Sequence, residues 1–160
     1  MLKKIKILMP DPVKFKFVKE GLEYYLKRIE PFVLVDTIFP KIKTKVSNVS
    51  IKLKKEEEAI KKYILDKDYL IVLDEKGKAF KSIELAERLK KLIQNYTYIT
   101  FIIGGPDGLS ENLKKQAKEI WSLSPLTLNH EIALLVFIEA LYRSFTIIKG
   151  IPYHLSLIHI

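Results

Sequence analysis

The sequence predicts an α/β domain with a mostly parallel sheet flanked by helices. Three observations carry that expectation. Strand-like segments alternate along the chain with segments whose apolar residues recur at helical spacing. Residues 69–73 (YLIVL) and 99–103 (ITFII) have the least polar content of the strands, as expected of central strands covered on both faces. Each of these runs ends in a turn-like segment, LDEKGK or GGPDG. A parallel sheet brings both to one rim, where the ligands of such sheets bind.

The elements follow in order. Residues 2–8 (LKKIKIL) alternate toward their end and predict a strand. PDP at 10–12 breaks it and can open a helix. From Val13 to Ile29 the apolar Phe17, Val18, Leu22, Tyr25, Leu26 and Ile29 lie at helical spacing. Residues 32–39 (FVLVDTIF) are strand-like by β-branched and aromatic content. A basic loop, 40–50, precedes a helix over about 51–65 with Ser50 as its expected cap. After the strand at 69–74, EKGK is expected to turn, and Ser82 to cap a helix reaching about Asn95. The strand at 97–103 is followed by a helix capped by Ser110 and reaching about Ile120, then by a short strand, WSLS. A long helix is expected from His130 to Lys149, with Asn129 as cap and Gly150 at the exit.

At 160 residues the chain is the length of one domain, and 48% hydrophobic content suffices for a core. Lys and Arg number 28 against 19 Asp and Glu, a formal charge of +9. The excess is concentrated in residues 1–81, with 20 basic and 12 acidic side chains. Such a balance attracts polyanions, nucleic acid first; ordinary lysine-dressed surface is the bland alternative. Lys41, Lys43, Lys45, Lys52, Lys54 and Lys55 are the candidate phosphate contacts. The absence of cysteine excludes disulfides and thiolate metal sites and fits a cytoplasmic location; no metal is expected. The longest nearly apolar stretch, Ile132 to Leu141, is too short to span a bilayer and contains Glu139, so no membrane role is expected.

The segment FIIGGPDGLS, 101–110, places three glycines within five residues at a strand end. Such a loop can press bare main chain against a ligand, or it can be a plain strand-to-helix turn. No Lys-Ser/Thr follows it, so it is not a P-loop, and Pro106 argues against a dinucleotide fingerprint. In WSLSPLTLNHE, 121–131, polar residues alternate with Leu123, Leu126 and Leu128. That segment can offer backbone groups and leucines to a heterocycle, or be a strand with a polar outer face.

The order LDEKGK, FIIGGPDGLS, WSLSPLTLNHE, IEALYRSFTI, PYH resembles the ribosomal RNA large-subunit methyltransferase H family over essentially the whole chain. These are small members of the SPOUT class. The resemblance implies a sheet whose C-terminal part is threaded into a trefoil knot, a homodimer with cofactor sites near the subunit interface, and S-adenosyl-L-methionine as methyl donor. It implies methylation of N3 of a pseudouridine in helix 69 of 23S rRNA within the ribosome. Carried over residue by residue, the cofactor contacts are Leu73, Gly104, Gly105, Leu123, Ser124, Pro125, Leu126, Thr127 and Leu128. Tyr153 and His154 match the family's terminal Tyr-His and are the expected acceptor-site residues, His154 as base or base-positioner. Glu139 and Arg143, four residues apart on one helix face, are either a packing ion pair or a phosphate- or anion-binding group beside the acceptor. His130 either positions the cofactor loop or caps.

Two departures stand out. Leu134 occupies a position where the family commonly carries Arg, and Asn129 one where Pro is frequent. The chain continues past Tyr-His as LSLIHI, 155–160, where the family has a basic end; the hexapeptide reads as foreign to the fold. Rival readings are a SPOUT enzyme acting on another RNA site, and a non-catalytic RNA-binding or ribosome-assembly factor.

Overall fold

A computed structural model describes residues 2–42 and 47–154. Lys43, Lys45 and the tail 155–160 lie outside the described residues. The strands are β1 (Lys4–Leu8), β2 (Leu34–Ile38), β3 (Tyr69–Ala79), β4 (Tyr98–Ile103) and β5 (Glu119–Ser122). The helices are α1 (Lys16–Ile29), α2 (Val49–Lys61), α3 (Ser82–Asn95), α4 (Glu111–Gln116) and α5 (His130–Lys149). The five strands form one sheet in the order β2-β1-β4-β3-β5, every pairing parallel.

Alternation along the inner strands divides the core. Ile71 and Leu73, Ile99, Phe101 and Ile103 face a layer built from Val18 and Leu22 of α1, Leu89 and Leu92 of α3, and Phe137, Ile138 and Leu141 of α5. Leu70, Val72 and Ile102 face the other way, toward Ile60 of α2, Leu113 of α4 and Leu109 just before it. The runs read as central do lie inside the sheet, β4 in its middle and β3 beside it. Leu134 is fully buried in the larger cluster, so its position is filled by apolar packing. Among the described residues, no helix is long and apolar enough to cross a membrane.

Several element ends differ from expectation, and each has a local cause. α1 starts at Lys16, three residues late, because the amides of Lys14 and Phe15 donate instead to Glu131 Oε1 on α5, at 3.0 and 2.9 Å. α2 starts at Val49, and its cap is Asn48, whose Oδ1 accepts from Ile51 N, not Ser50. It ends early because the Tyr63 carbonyl is taken by Lys6 Nζ at 2.6 Å and Leu65 N by Asp68 Oδ2 at 2.8 Å. Ser82 is the first residue of α3 and not its cap; the Lys81 amide is satisfied by Glu84. α4 stops at Gln116, since Lys118 N is captured by Leu70 O and the chain continues as β5.

The largest correction concerns EKGK. These residues do not end the strand: β3 runs on to Ala79. Leu73 and Lys78 both stand opposite Trp121, so Asp74–Gly77 are extruded between two stretches of the same ladder. Gly77 makes this possible, because a Cβ there would lie 2.5 Å from the Ile120 carbonyl oxygen.

Candidate active site

The carboxyl ends of β3, β4 and β5 open onto one cleft of about 390 Å³. Its walls come from three segments, with Lys114 reaching in from α4. β3 contributes Leu73 and the extruded Asp74, Glu75 and Lys76. The loop after β4 contributes Gly104, Gly105, Pro106 and Gly108. The connection from β5 to α5 contributes Leu123, Ser124, Leu126, Thr127 and Leu128, with His130 and Ala133 from the start of α5. Eight of the nine residues expected at a cofactor site therefore line one cavity. Pro125 is exposed and is not among them.

The glycine loop is a tight turn. Gly108 N donates to Gly105 O at 3.0 Å, with Pro106 and Asp107 at the corner and Gly108 at φ 80°. Gly104 is required by a close crossing of main chain: a Cβ would lie 2.7 Å from the carbonyl carbon of Gly108. Gly105 is different, since its added Cβ would meet Pro10 Cγ at 3.5 Å and Glu56 Oε2 at 3.7 Å, ordinary contacts. α2 clasps this loop from outside. Lys52 Nζ pairs with Asp107 at 2.8 Å, and Glu57 accepts from Ser110 Oγ and, at 3.0 Å, from Asn112 Nδ2. Ser110 in turn caps α4 through Leu113 N, as its sequence position suggests.

The cleft's polar groups are largely committed. Asp74 pairs with Lys114 at 2.9 Å and accepts from Lys76 N at 2.9 Å. Burial alone would raise the Asp74 carboxyl; that amide and the Lys114 ammonium outweigh it and hold the group below its ordinary value. Thr127 Oγ1 donates to Glu75 Oε2 at 3.0 Å, tying the β5–α5 connection to the extruded residues across the cleft. Ser124 folds the connection by accepting from Leu126 N at 2.9 Å, leaving Leu126 71% exposed at the mouth. Asp74, Glu75 and Lys76 lie in the rim segment noted in the sequence but receive no role there. Lys114 could not be placed at all, because nothing local points a lysine on the short helix α4 across to β3.

A second cluster occupies the far half of α5. Glu139 and Arg143 form a bidentate pair, Nε to Oε1 at 3.1 Å and a terminal nitrogen to Oε2 at 2.9 Å. The other terminal nitrogen of Arg143 lies 2.9 Å from His154 Nδ1. Arginine has only donors, so Nδ1 is the acceptor and the neutral ring carries its proton on Nε2. The Tyr153 hydroxyl donates to Glu139 Oε2 at 3.4 Å, and its ring lies under the Arg143 guanidinium, 4.8 Å from the centroid. Burial, then hydrogen bonding with Tyr25 and the Glu139 charge, raise the phenol, so it stays protonated. Tyr142 packs between Tyr25 and Tyr153, at 6.0 and 4.8 Å between centroids.

The expected acceptor-site pair Tyr153 and His154 thus meets Glu139 and Arg143 in one hydrogen-bonded group. Among the described residues, none of the four lines the cleft. Ten residues of helix separate Ala133 at the cleft from Arg143, about 15 Å at 1.5 Å per residue.

An all-parallel α/β sheet with a ligand-sized cleft at three strand ends, walled by a glycine turn and a leucine-bearing connection, defines the class of site, and sequence comparison places the chain among methyltransferases. The family model described as "Predicted SPOUT methyltransferase" matches residues 3–154. Proteins named "Ribosomal RNA large subunit methyltransferase H" align over nearly the full length. The one from Dictyoglomus thermophilum is 40% identical over 151 residues, covering 94% of this chain and 98% of its own. That from Streptococcus suis is 41% identical over 158 residues, covering 94% and 99%. That from Prochlorococcus marinus is 42% identical over 149 residues, covering 93% and 94%. The chain belongs to the SPOUT methyltransferases and, within them, to the ribosomal RNA large subunit methyltransferase H family.

Proposed function

We propose that this protein is one methyltransferase domain that uses S-adenosyl-L-methionine to methylate N3 of a pseudouridine in helix 69 of 23S rRNA. The observation that supports it best is the meeting of Gly104–Gly105 and Leu123–Leu128 in one cleft. The residues present fit the donor. The cleft volume falls within the range of small-ligand sites, about 300–1,000 Å³. Leucines 123, 126 and 128 offer apolar faces to adenine, main chain of the connection can read its edge, and Asp74, Glu75 and Lys114 supply charges of both signs for the amino-acid end. The bound donor supplies an electrophilic methyl on a sulfonium; the protein's contribution is alignment.

For the acceptor, the bond from sulfur to methyl would break as the N3–C bond forms, and the N3 proton would pass to water. His154, with Nδ1 held by Arg143, offers an Nε2–H donor and suits a base-positioner better than a proton acceptor. Tyr153 directs its one O–H to Glu139 and stacks its ring under Arg143. Glu139 holds Arg143, whose charge favours the N3 anion. Because the acceptor cluster and the cleft stand apart on one chain, the homodimer implied by the family likeness would bring one protomer's C-terminal cluster to its partner's cleft. Lys41, Lys54 and Lys55 remain candidates for rRNA phosphate, whereas Lys52 is already engaged by Asp107.

The test is mass spectrometry of the helix 69 fragment from a strain lacking this protein. The mass should fall by one methyl group and recover on complementation. An unchanged fragment would reassign the substrate to another RNA site, and failure of the dimer to bind the donor would favour a non-catalytic binding role.

A further inference from the structure

Behind the glycine turn lies a group the reading above does not use. Glu56 of α2 is 3% exposed, and its Oε2 has no hydrogen-bond partner. That oxygen lies 3.7 Å from where a Cβ on Gly105 would be. Three charged groups face it. Lys52 is one helical turn away but spends its ammonium on Asp107. Asp107 itself comes from the glycine turn, and Asp11 from the β1–α1 connection, where it holds φ 69°. Burial first, then these two carboxylates, push the Glu56 carboxyl above its ordinary value, with Lys52 opposing. A buried carboxylate oxygen without a hydrogen bond is costly and is kept where something compensates it. Only Lys52, already shared with Asp107, offsets it, and Gly105, against which Oε2 lies, is a wall of the cleft.

We propose that Glu56 is a positioning residue whose buried charge makes the cleft prefer a cationic ligand, the sulfonium-bearing donor, over its neutral demethylated product. This rests on the donor assignment above. Methyl transfer removes the sulfonium charge, so the same carboxylate that draws the donor in gives no such hold on the product. A cation seated against Gly105 would lie within about 10 Å of the carboxylate, where a unit charge at an effective dielectric of about 20 changes affinity on the order of tenfold. Screening is weak because the group is out of solvent.

The test is calorimetric titration of the intact protein with S-adenosylmethionine and with S-adenosylhomocysteine, for the native chain and for Glu56→Gln and Glu56→Asp. Glu56→Gln should weaken the sulfonium ligand roughly tenfold and leave the neutral one within about twofold. Glu56→Asp should retain most of the preference. In the native protein the ratio of the two affinities should fall as pH is lowered through the Glu56 titration, and the Gln variant should show a flat ratio. Equal weakening of both ligands would reduce Glu56 to structural support of the turn and overturn the inference, as would no change in either. If the native protein bound neither ligand, the donor assignment itself would fall, an outcome distinct from both.

Discussion

The cleft at the sheet rim and the cluster on the far half of α5 are built from different materials. The cleft's shape is a property of main chain: a glycine turn closed by one hydrogen bond, an extruded stretch of β3, and a connection folded on Ser124. Side chains enter it mainly as leucine, or as charges already paired. The α5 cluster is the reverse. Its backbone is ordinary helix, and its character lies in four polar side chains that hold one another. Main chain in a fixed turn recognises shape with little reorganisation. A chain of charge-assisted hydrogen bonds orients a proton donor, and it is disrupted by loss of any member. On the proposed reading, damage to one region should leave the other intact.

The sharpest break between them comes from Tyr153→Ala/His154→Ala. Methyl transfer to 23S rRNA should fall by on the order of a hundredfold or more, as expected when acceptor-positioning donors are lost. S-adenosylmethionine affinity, read by calorimetry, should stay within about twofold. A parallel collapse of binding would show that the C-terminal pair supports the fold of the cleft and does not serve transfer.

The converse variant is Gly104→Ala. Its Cβ would sit 2.7 Å from Gly108 main chain, so the turn must open, at about 1–3 kcal/mol. Donor affinity should drop roughly tenfold, since 1.4 kcal/mol corresponds to that factor. Gly105→Ala meets only ordinary contacts, and its thermal stability should match the native chain within about 0.5 kcal/mol. Equal stability losses at both positions would show that the crossing with Gly108 is not what requires glycine at 104.

This difference between the regions also decided what the sequence could reveal. Periodic elements with adjacent caps were legible: α5 with Asn129 and Gly150, β4, and the cap at Ser110. The rim was legible because one apolar run stops at Asp74 and the other at the glycine pair 104–105. What escaped depends on distant partners. Glu131 shortens α1 from more than a hundred residues away, Leu70 ends the stretch after α4, and the extrusion of Asp74–Gly77 is visible only against β5. EKGK has the composition of a turn, and local chemistry does not distinguish a strand that ends from one that detours and resumes. Glu139 and Arg143 were placed on one face by spacing alone, but the capture of His154 by Arg143 required the chain to fold back after Gly150.

The clasp of α2 on the glycine turn offers a smaller effect. Ser110 caps α4 and also bonds Glu57, so Ser110→Ala should cost about 1 kcal/mol in denaturant unfolding. Glu57 is held at about 2, first by Ser110, then by Asn112 and Lys61 against the opposing effect of burial. Its folded value is depressed. The stability it contributes is therefore complete above its ordinary value of 4.5 and is lost as pH falls from there toward 2. Glu57→Gln should flatten the stability profile in that acid window and leave neutral-pH binding at the α5 cluster untouched.

The smallest effects belong to the lysines, and there α2 divides against itself. Lys54 is exposed and makes no ion pair among the described residues, so it is available to phosphate. Lys54→Gln should reduce the salt dependence of rRNA binding by about one phosphate contact and leave donor affinity unchanged. Lys52 lies on the same helix and carries the same charge, but its ammonium is bound to Asp107 of the glycine turn. Lys52→Gln should leave the salt slope near native and weaken the donor by a few fold, because the turn loses one of its outer ties and Glu56 loses the cation opposing its rise. Filter binding across a salt series, beside calorimetry, separates the two. If both variants shifted the slope alike, the Lys52–Asp107 pair would be one that RNA readily breaks, and α2 would serve as RNA surface along its whole length.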